Sequence, residues 1–169
     1  MIRPVRPADA PGVARYRCPA EVDAAQRPVY ADWVAGAMHR GLYLGFLAVE
    51  GEVVAGAGLT LLEWGPTRSD PQPWRGRIVN VWTRPDHRRQ GLARELLGCC
   101  LDAARERGVT RLSLGTTSEA RHLYEALGFT GSGTEMTLKL HQAGQFTRSG
   151  VGHPHPDRVG SARGSPEKV

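Results

Sequence analysis

The stretch Val79-Asn80-Val81-Trp82-Thr83, followed by Arg88-Arg89-Gln90-Gly91-Leu92-Ala93-Arg94, carries the clearest chemistry in the chain. An apolar strand enters a basic turn, and the turn opens an amphipathic helix. The first turn of a helix has backbone N–H groups without partners and a partial positive charge, which together suit an anion. Gly91 lets the backbone approach that anion closely, and Arg88 and Arg89 add formal charge. Taken alone, the two arginines are better read as solvated charges ahead of a helix, since basic residues are common on surfaces. Read from physics only, this is a phosphate site.

Other suggestive groupings carry less. Gly56-Ala57-Gly58 resembles the start of a dinucleotide-binding loop, but Leu61 stands where the third glycine belongs and no helix follows. His153-Pro154-His155 supplies two imidazoles without a third ligand, so no metal site is expected. Cys18, Cys99 and Cys100 fit neither a disulfide framework nor a zinc pattern; the last two fall within a helix and read as buried small side chains. No Gly-x-Ser-x-Gly nucleophile elbow is present.

The elements that must position the anion site follow from periodicity and punctuation. Ile2–Arg6 reads as a strand, and Asp9 as the cap of a helix to about Arg17. Val29–Arg40 has helical apolar spacing and stops at Gly41. Leu42–Glu50 and Val53–Leu62 form a hairpin about Gly51-Glu52, and Trp64–Gly76, with three prolines, reads as a long loop. Arg77–Thr83 is the central strand. Gln90–Arg107 is the long helix, with a stripe of Leu92, Leu96, Cys99/Cys100 and Ala103/Ala104. Arg111–Leu114 is a strand, Glu119–Leu127 a short helix capped by Ser118, and Thr134–Leu140 a last strand. The order β-α-α-β-β-β-α-β-α-β implies an α/β fold with a central mixed sheet flanked by helices on both faces. One domain is expected over residues 1–141. The Gly-, Pro-, Ser- and Arg-rich tail of 142–169 has too little apolar surface to offset its chain entropy and is expected to stay disordered.

Arg88-x-x-Gly91-x-Ala93 resembles the Gln/Arg-x-x-Gly-x-Gly/Ala signature of the Gcn5-related N-acetyltransferases, which follows their fourth strand and holds the pyrophosphate of coenzyme A. Leu123-Tyr124-Glu125-Ala126-Leu127-Gly128-Phe129 is similar to the family's Leu-Tyr-x-x-x-Gly-Phe segment, with the strand Arg111–Leu114 between the two blocks as the family order requires. Glu135-Met136-Thr137-Leu138 also resembles the last strand of one branch. The resemblance implies direct transfer of acetyl from acetyl-CoA to a primary amine of a small molecule or peptide. It also implies a V-shaped slot between Asn80–Thr83 and Leu112–Gly115. A binding module of the same fold, holding acyl-CoA without turnover, is the alternative.

The resemblance further assigns roles. Backbone amides of Arg89 to Arg94 would grip the diphosphate, and Val81, Trp82 or Thr83 would offer a backbone N–H to the thioester oxygen. Tyr124 would protonate the departing thiolate; a phenol, ordinarily titrating near about 10, is protonated at neutral pH. It also lies on an apolar face, as a core tyrosine would. Thr117 stands where many relatives place an asparagine that bonds the pantetheine, and offers a shorter reach. Arg77 lies near the place of a general-base glutamate in some relatives and cannot be a base. Glu63 is the substitute, or else a solvated strand-end carboxylate. Substrate selection falls to Tyr30, Trp33, Trp64, Trp74 and Asn80, with the tryptophans either roofing the acceptor or covering the sheet edge.

The bulk numbers agree. At 169 residues, with 40% hydrophobic and 23% charged side chains, the chain suits one globular domain. There is neither a membrane-length apolar run nor a signal-peptide core, so a cytoplasmic protein without membrane association is expected. Of the net charge of +5, +2 falls after His141, on Arg148, Arg158, Arg163 and Lys168 against Asp157 and Glu167. The remainder is too scattered for nucleic acid, though it accommodates a phosphate-bearing cofactor. Dimers that pair edge strands are frequent in the family, which allows a homodimer.

Overall fold

Strand β1 (Ile2–Pro4) leads into helices α1 (Ala10–Arg17) and α2 (Gln26–His39). The long strands β2 (Tyr43–Glu50), β3 (Glu52–Glu63) and β4 (Trp74–Thr83) follow, then helix α3 (Leu92–Glu106), the short strand β5 (Leu112–Ser113) and helix α4 (Arg121–Glu125). The computed structural model describes residues 1–131 and Gly133. The expected strand Thr134–Leu140 and the tail from Gln142 lie outside the described residues. Residues Met1–Thr130 form one compact unit.

The sheet runs β1-β2-β3-β4-β5; it is antiparallel as far as β4, and β5 lies parallel to β4. Strand alternation explains why both faces are apolar. Tyr43 and Leu47 of β2 pack with Val13, Ala14, Val34 and Ala37 of α1 and α2. On the opposite face, Ala57, Leu59 and Leu61 of β3 and Ile78 of β4 pack with Leu96, Leu97, Cys100 and Ala104 of α3. The stripe anticipated on α3 is present with Leu97 added, while Cys99 is only half-buried. Among the described residues, no helix is long and apolar enough to cross a membrane.

Several boundaries differ from the sequence reading for local reasons. Asp9 does not cap α1: its carboxylate accepts from both terminal nitrogens of Arg3 at 2.8 Å and from the Arg6 amide at 2.7 Å, so it closes the preceding turn instead. The β2–β3 hairpin turns on Gly51 alone, with Glu50 already opposite Glu52. Trp74 belongs to β4 rather than the loop, because it pairs with Glu63 and packs against the α3-side core. Helix α4 begins at Arg121 with no side chain capping it, so Ser118 is not its cap. Gln90 lies ahead of α3, whose capping residue is Gly91.

Candidate functional site

Strands β4 and β5 pair at only two positions, Gly76 with Leu112 and Arg77 with Ser113. Beyond them β4 continues to Thr83 while the chain after Ser113 departs, and the sheet opens. A cleft of about 630 Å³ fills the gap on the side of the α3 N-terminus. Of the residues expected to hold the cofactor, Val81, Trp82, Thr83, Arg88, Arg89, Gly91, Leu92, Ala93, Arg94 and Thr117 all line it. Gln90 does not, and its side-chain amide donates instead to the Asp86 carbonyl at 3.4 Å.

The turn at the cleft mouth is shaped by two left-handed residues, Arg89 (φ 61°) and Gly91 (φ 85°). Gly91 adopts that conformation freely; Arg89 does so at a cost of about 1–2 kcal/mol. The first intrahelical bond of α3 runs from the Glu95 amide to the Gly91 carbonyl at 3.1 Å, and no side chain caps the helix. The amides of Leu92, Ala93 and Arg94 are therefore left facing a cleft that their residues line, with two arginines beside them. The site fits a diphosphate in both its donors and its charge.

A second, smaller chamber of about 290 Å³ adjoins on the α1/α2 side, walled by Tyr16, Arg17, Arg77, Asn80 and Gly115. The two spaces share Val81, Trp82 and Tyr124. At that junction β4 bulges: Gly56 pairs with Trp82 and Gly58 with Val79, leaving one extra residue on β4. Asn80 takes the left-handed conformation there (φ 54°), which asparagine tolerates better than most residues. Its amide nitrogen donates to the hydroxyls of Tyr43 and Tyr30, each at 3.0 Å, so the bulge is held by side chains from β2 and α2. Burial pushes the Tyr43 phenol well above its usual value, which keeps it a neutral hydrogen-bonding group.

Gly56 and Gly58 now have a local reason. A Cβ on Gly58 would stand 2.5 Å from the Tyr43 hydroxyl, and one on Gly56 would stand 2.7 Å from the Trp82 indole nitrogen. The pair makes room on β3 for the two rings that brace and line the bulge. Tyr16 stacks on Trp82 from α1.

Tyr124 has a position that suits either reading of it. It is buried against the α3-side core, edge-on to Phe129 with ring centroids 6.0 Å apart, and it also lines both cavities. Burial raises its phenol above the usual value, so it is protonated at neutral pH. No hydrogen bond to its hydroxyl occurs among the described residues.

Three expected residues lie far from this site, apart from Gln90, Tyr30 and Trp33, which are near it but line neither cavity. Glu63 is exposed and sits opposite Trp74, at the far end of β4 from Asn80, about 20 Å away at strand spacing. Trp64 follows it and is 69% exposed, and Trp74 packs into the α3-side core. None of the three lines either cavity, because β3 and β4 carry them in the direction opposite to the bulge. Trp33 stands one layer back, stacked with Tyr30 at 5.5 Å and edge-on to Tyr43 at 6.2 Å. The sequence reading missed Tyr16, Arg17 and Tyr43. Only Tyr43 left a trace, in Gly58 of β3, which its ring requires.

The family model for the acetyltransferase (GNAT) family matches residues 13–129. An uncharacterized N-acetyltransferase, YsnE, from Bacillus subtilis (strain 168) is 38% identical over 87 residues, which span 48% of this chain and 52% of that relative's length. The crystal structure of a GCN5-related N-acetyltransferase from Ralstonia eutropha JMP134 superposes with a TM-score of 0.75 at 31% identity, over 83% of this chain and 97% of that one. A predicted acetyltransferase from Clostridium acetobutylicum, solved with acetyl-CoA, shares the fold with a TM-score of 0.75 at 20% identity, over 82% and 95% of the two chains. With the strand order, the opened sheet and the helix mouth all in place, the match across most of the chain makes this protein a member of the acetyltransferase (GNAT) family.

Proposed function

We propose that this protein is an acetyl-CoA-dependent N-acetyltransferase that moves the acetyl group directly to a primary amine of a small molecule or peptide. The observation that carries this reading is the meeting of two spaces at one point: the cleft at the α3 mouth and the chamber on the α1/α2 side share Val81, Trp82 and Tyr124. A donor held in the first reaches an acceptor held in the second only there.

Acetyl-CoA supplies an activated thioester. The amides of Leu92 to Arg94, with Arg88 and Arg89, hold its diphosphate. The bulge at Asn80 takes Val81 out of ladder register and offers its N–H to the thioester oxygen, where charge develops during attack. Tyr124 gives a proton to the departing sulfur and regains one from water. The amine nitrogen loses a proton to water as its bond to the acyl carbon replaces the carbon–sulfur bond. Glu63 has no part in this, given its place at the far end of the sheet. Cys99 and Cys100 line neither cavity, and burial pushes the Cys100 thiol up to about 12, so neither serves as a nucleophile.

Thiol release from acetyl-CoA with a panel of amines tests the proposal. Tyr124→Phe is expected to lower kcat by about 100-fold with unchanged coenzyme affinity. The parent enzyme is expected to lose activity at alkaline pH only above the ordinary tyrosine value of about 10, since burial raises this phenol. The absence of a carboxylate from the chamber walls among the described residues favours one other reading, an acyl-CoA-binding module. Tight coenzyme binding with no thiol release on any amine is the result that selects it.

A further inference from the structure

Among the described residues, the charged groups walling the small chamber are two arginines and no carboxylate: Arg17 from the end of α1 and Arg77 from β4. Among the described residues neither has an acidic partner. Arg77 donates one bond to the Ser113 hydroxyl at 3.3 Å, and Arg17 lies over the Tyr30 ring at 6.0 Å, a contact that orients a guanidinium without neutralising it. Elsewhere arginines with carboxylates in reach do pair, as Arg3 does with Asp9, Arg75 with Asp70, and Arg84 with Asp86 and Glu52. Two guanidiniums are thus left facing a concave space of about 290 Å³, at the lower end of the range for small-molecule sites.

We propose that the acceptor is a small amine that also carries an anionic group, a carboxylate or a phosphate, recognised by Arg17 and Arg77. This deepens the reading of the site as an N-acetyltransferase and rests on it. The guanidinium is suited to both anions through its forked N–H donors. The same charges disfavour a second ammonium, so polyamines and other multiply cationic amines are poor acceptors. They act on the reacting nitrogen as well: positive charge near an ammonium lowers its pKa and enlarges the neutral, nucleophilic fraction. A chamber whose described walls hold no carboxylate base thereby gains part of what a base would supply. Tyr16, stacked on Trp82, and the Asn80 amide complete a wall that is polar at one side and aromatic at the other.

Binding and transfer are measured separately, so that the two readings fail separately. Calorimetry in saturating coenzyme A, which has no acetyl group to give, compares matched pairs: β-alanine and L-phenylalanine against their carboxamides, and O-phosphoethanolamine against ethanolamine, with spermidine as the polycation. At least one anionic member is expected to bind about tenfold or more tightly than its neutral partner, and spermidine most weakly. Preference within the carboxylate pairs or within the phosphate pair identifies which anion the site takes. Arg17→Gln and Arg77→Gln, both exposed positions, are each expected to shrink that ratio toward one, while Arg105→Gln on the outer face of α3 leaves it unchanged. Equal or weaker binding of every anionic member overturns the proposal. An anionic amine that binds tightly, yet is never acetylated when acetyl-CoA replaces coenzyme A, leaves anion recognition by Arg17 and Arg77 standing and overturns the transferase reading, and with it the ligand's part as acceptor.

Discussion

The two cavities that meet at Val81, Trp82 and Tyr124 are built in different ways. The cleft at the α3 mouth is largely a main-chain device: three free amides and a turn bent by Arg89 and Gly91, all within one short stretch of chain. The small chamber is a side-chain device, with walls brought together from α1, β4 and the segments after β5, and a bulge held by tyrosines from α2 and β2. A site made of backbone tolerates change in most of its side chains but not in its dihedral angles. A site made of side chains depends on the distant residues that orient them. Substitutions at two glycines, one in each device, separate these dependencies.

Gly91→Val attacks the main-chain device. At φ 85° a β-branched residue is disfavoured by about 1–2 kcal/mol, and relief of that strain turns the amides away from the cleft. Coenzyme A affinity is expected to fall about tenfold or more, while the chamber stays intact. Thermal-shift titration with coenzyme A measures this; an unchanged dissociation constant would remove the helix mouth from the binding site.

Gly58→Ala attacks the side-chain device. The new methyl group falls 2.5 Å from the Tyr43 hydroxyl and 2.9 Å from its ring, and Tyr43 is buried, so the ring must move and its bond to Asn80 is lost. Overpacking of this kind costs about 1–3 kcal/mol, to be read from urea unfolding. Acetyl transfer is expected to fall with it, and coenzyme affinity to hold, which is the inverse of the Gly91→Val pattern. If both variants lose coenzyme affinity equally, the two devices are one.

The same contrast decides what could be read from the sequence. The α3 mouth was legible because its parts are adjacent: a strand, a basic turn, a glycine and an apolar stripe have to occur in that order for an anion site to form. Tyr124 was legible through the block that surrounds it. The chamber was legible only along Asn80 and the slot edges, since Tyr16 and Arg17 look like the unremarkable end of a short helix, and only the fold lays that end over β4. Glu63 and the tryptophans at positions 64 and 74 misled for the converse reason. They are near Asn80 in strand composition, but the antiparallel register of β3 with β4 carries them to the other end of the sheet. Direction along a strand is set by pairing, and residue type says little about it.

That other end provides the smallest of the expected effects and a control on the comparison. Asp70, buried in the loop between β3 and β4, accepts from the Gln72 amide at 3.0 Å and from the Thr110 hydroxyl, and pairs with Arg75 at 3.1 Å and Arg111 at 3.5 Å. It ties this loop to the approach to β5. These partners hold its carboxyl below the usual carboxylate range, the Thr110 hydrogen bond foremost. A folded-state pKa below the unfolded value means that the stabilisation is complete above about pH 4 and is lost as pH falls through the lowered value. The melting temperature of the parent protein should therefore drop on acidification below that point. Asp70→Asn should melt lower at neutral pH and converge on the parent in acid, with coenzyme affinity unchanged because the residue lines neither cavity. Parallel melting curves across that range would show that the carboxylate does not carry the acid sensitivity. A loss of coenzyme affinity would show that the two ends of β4 are coupled, and the separation between structural end and working end would have to be given up.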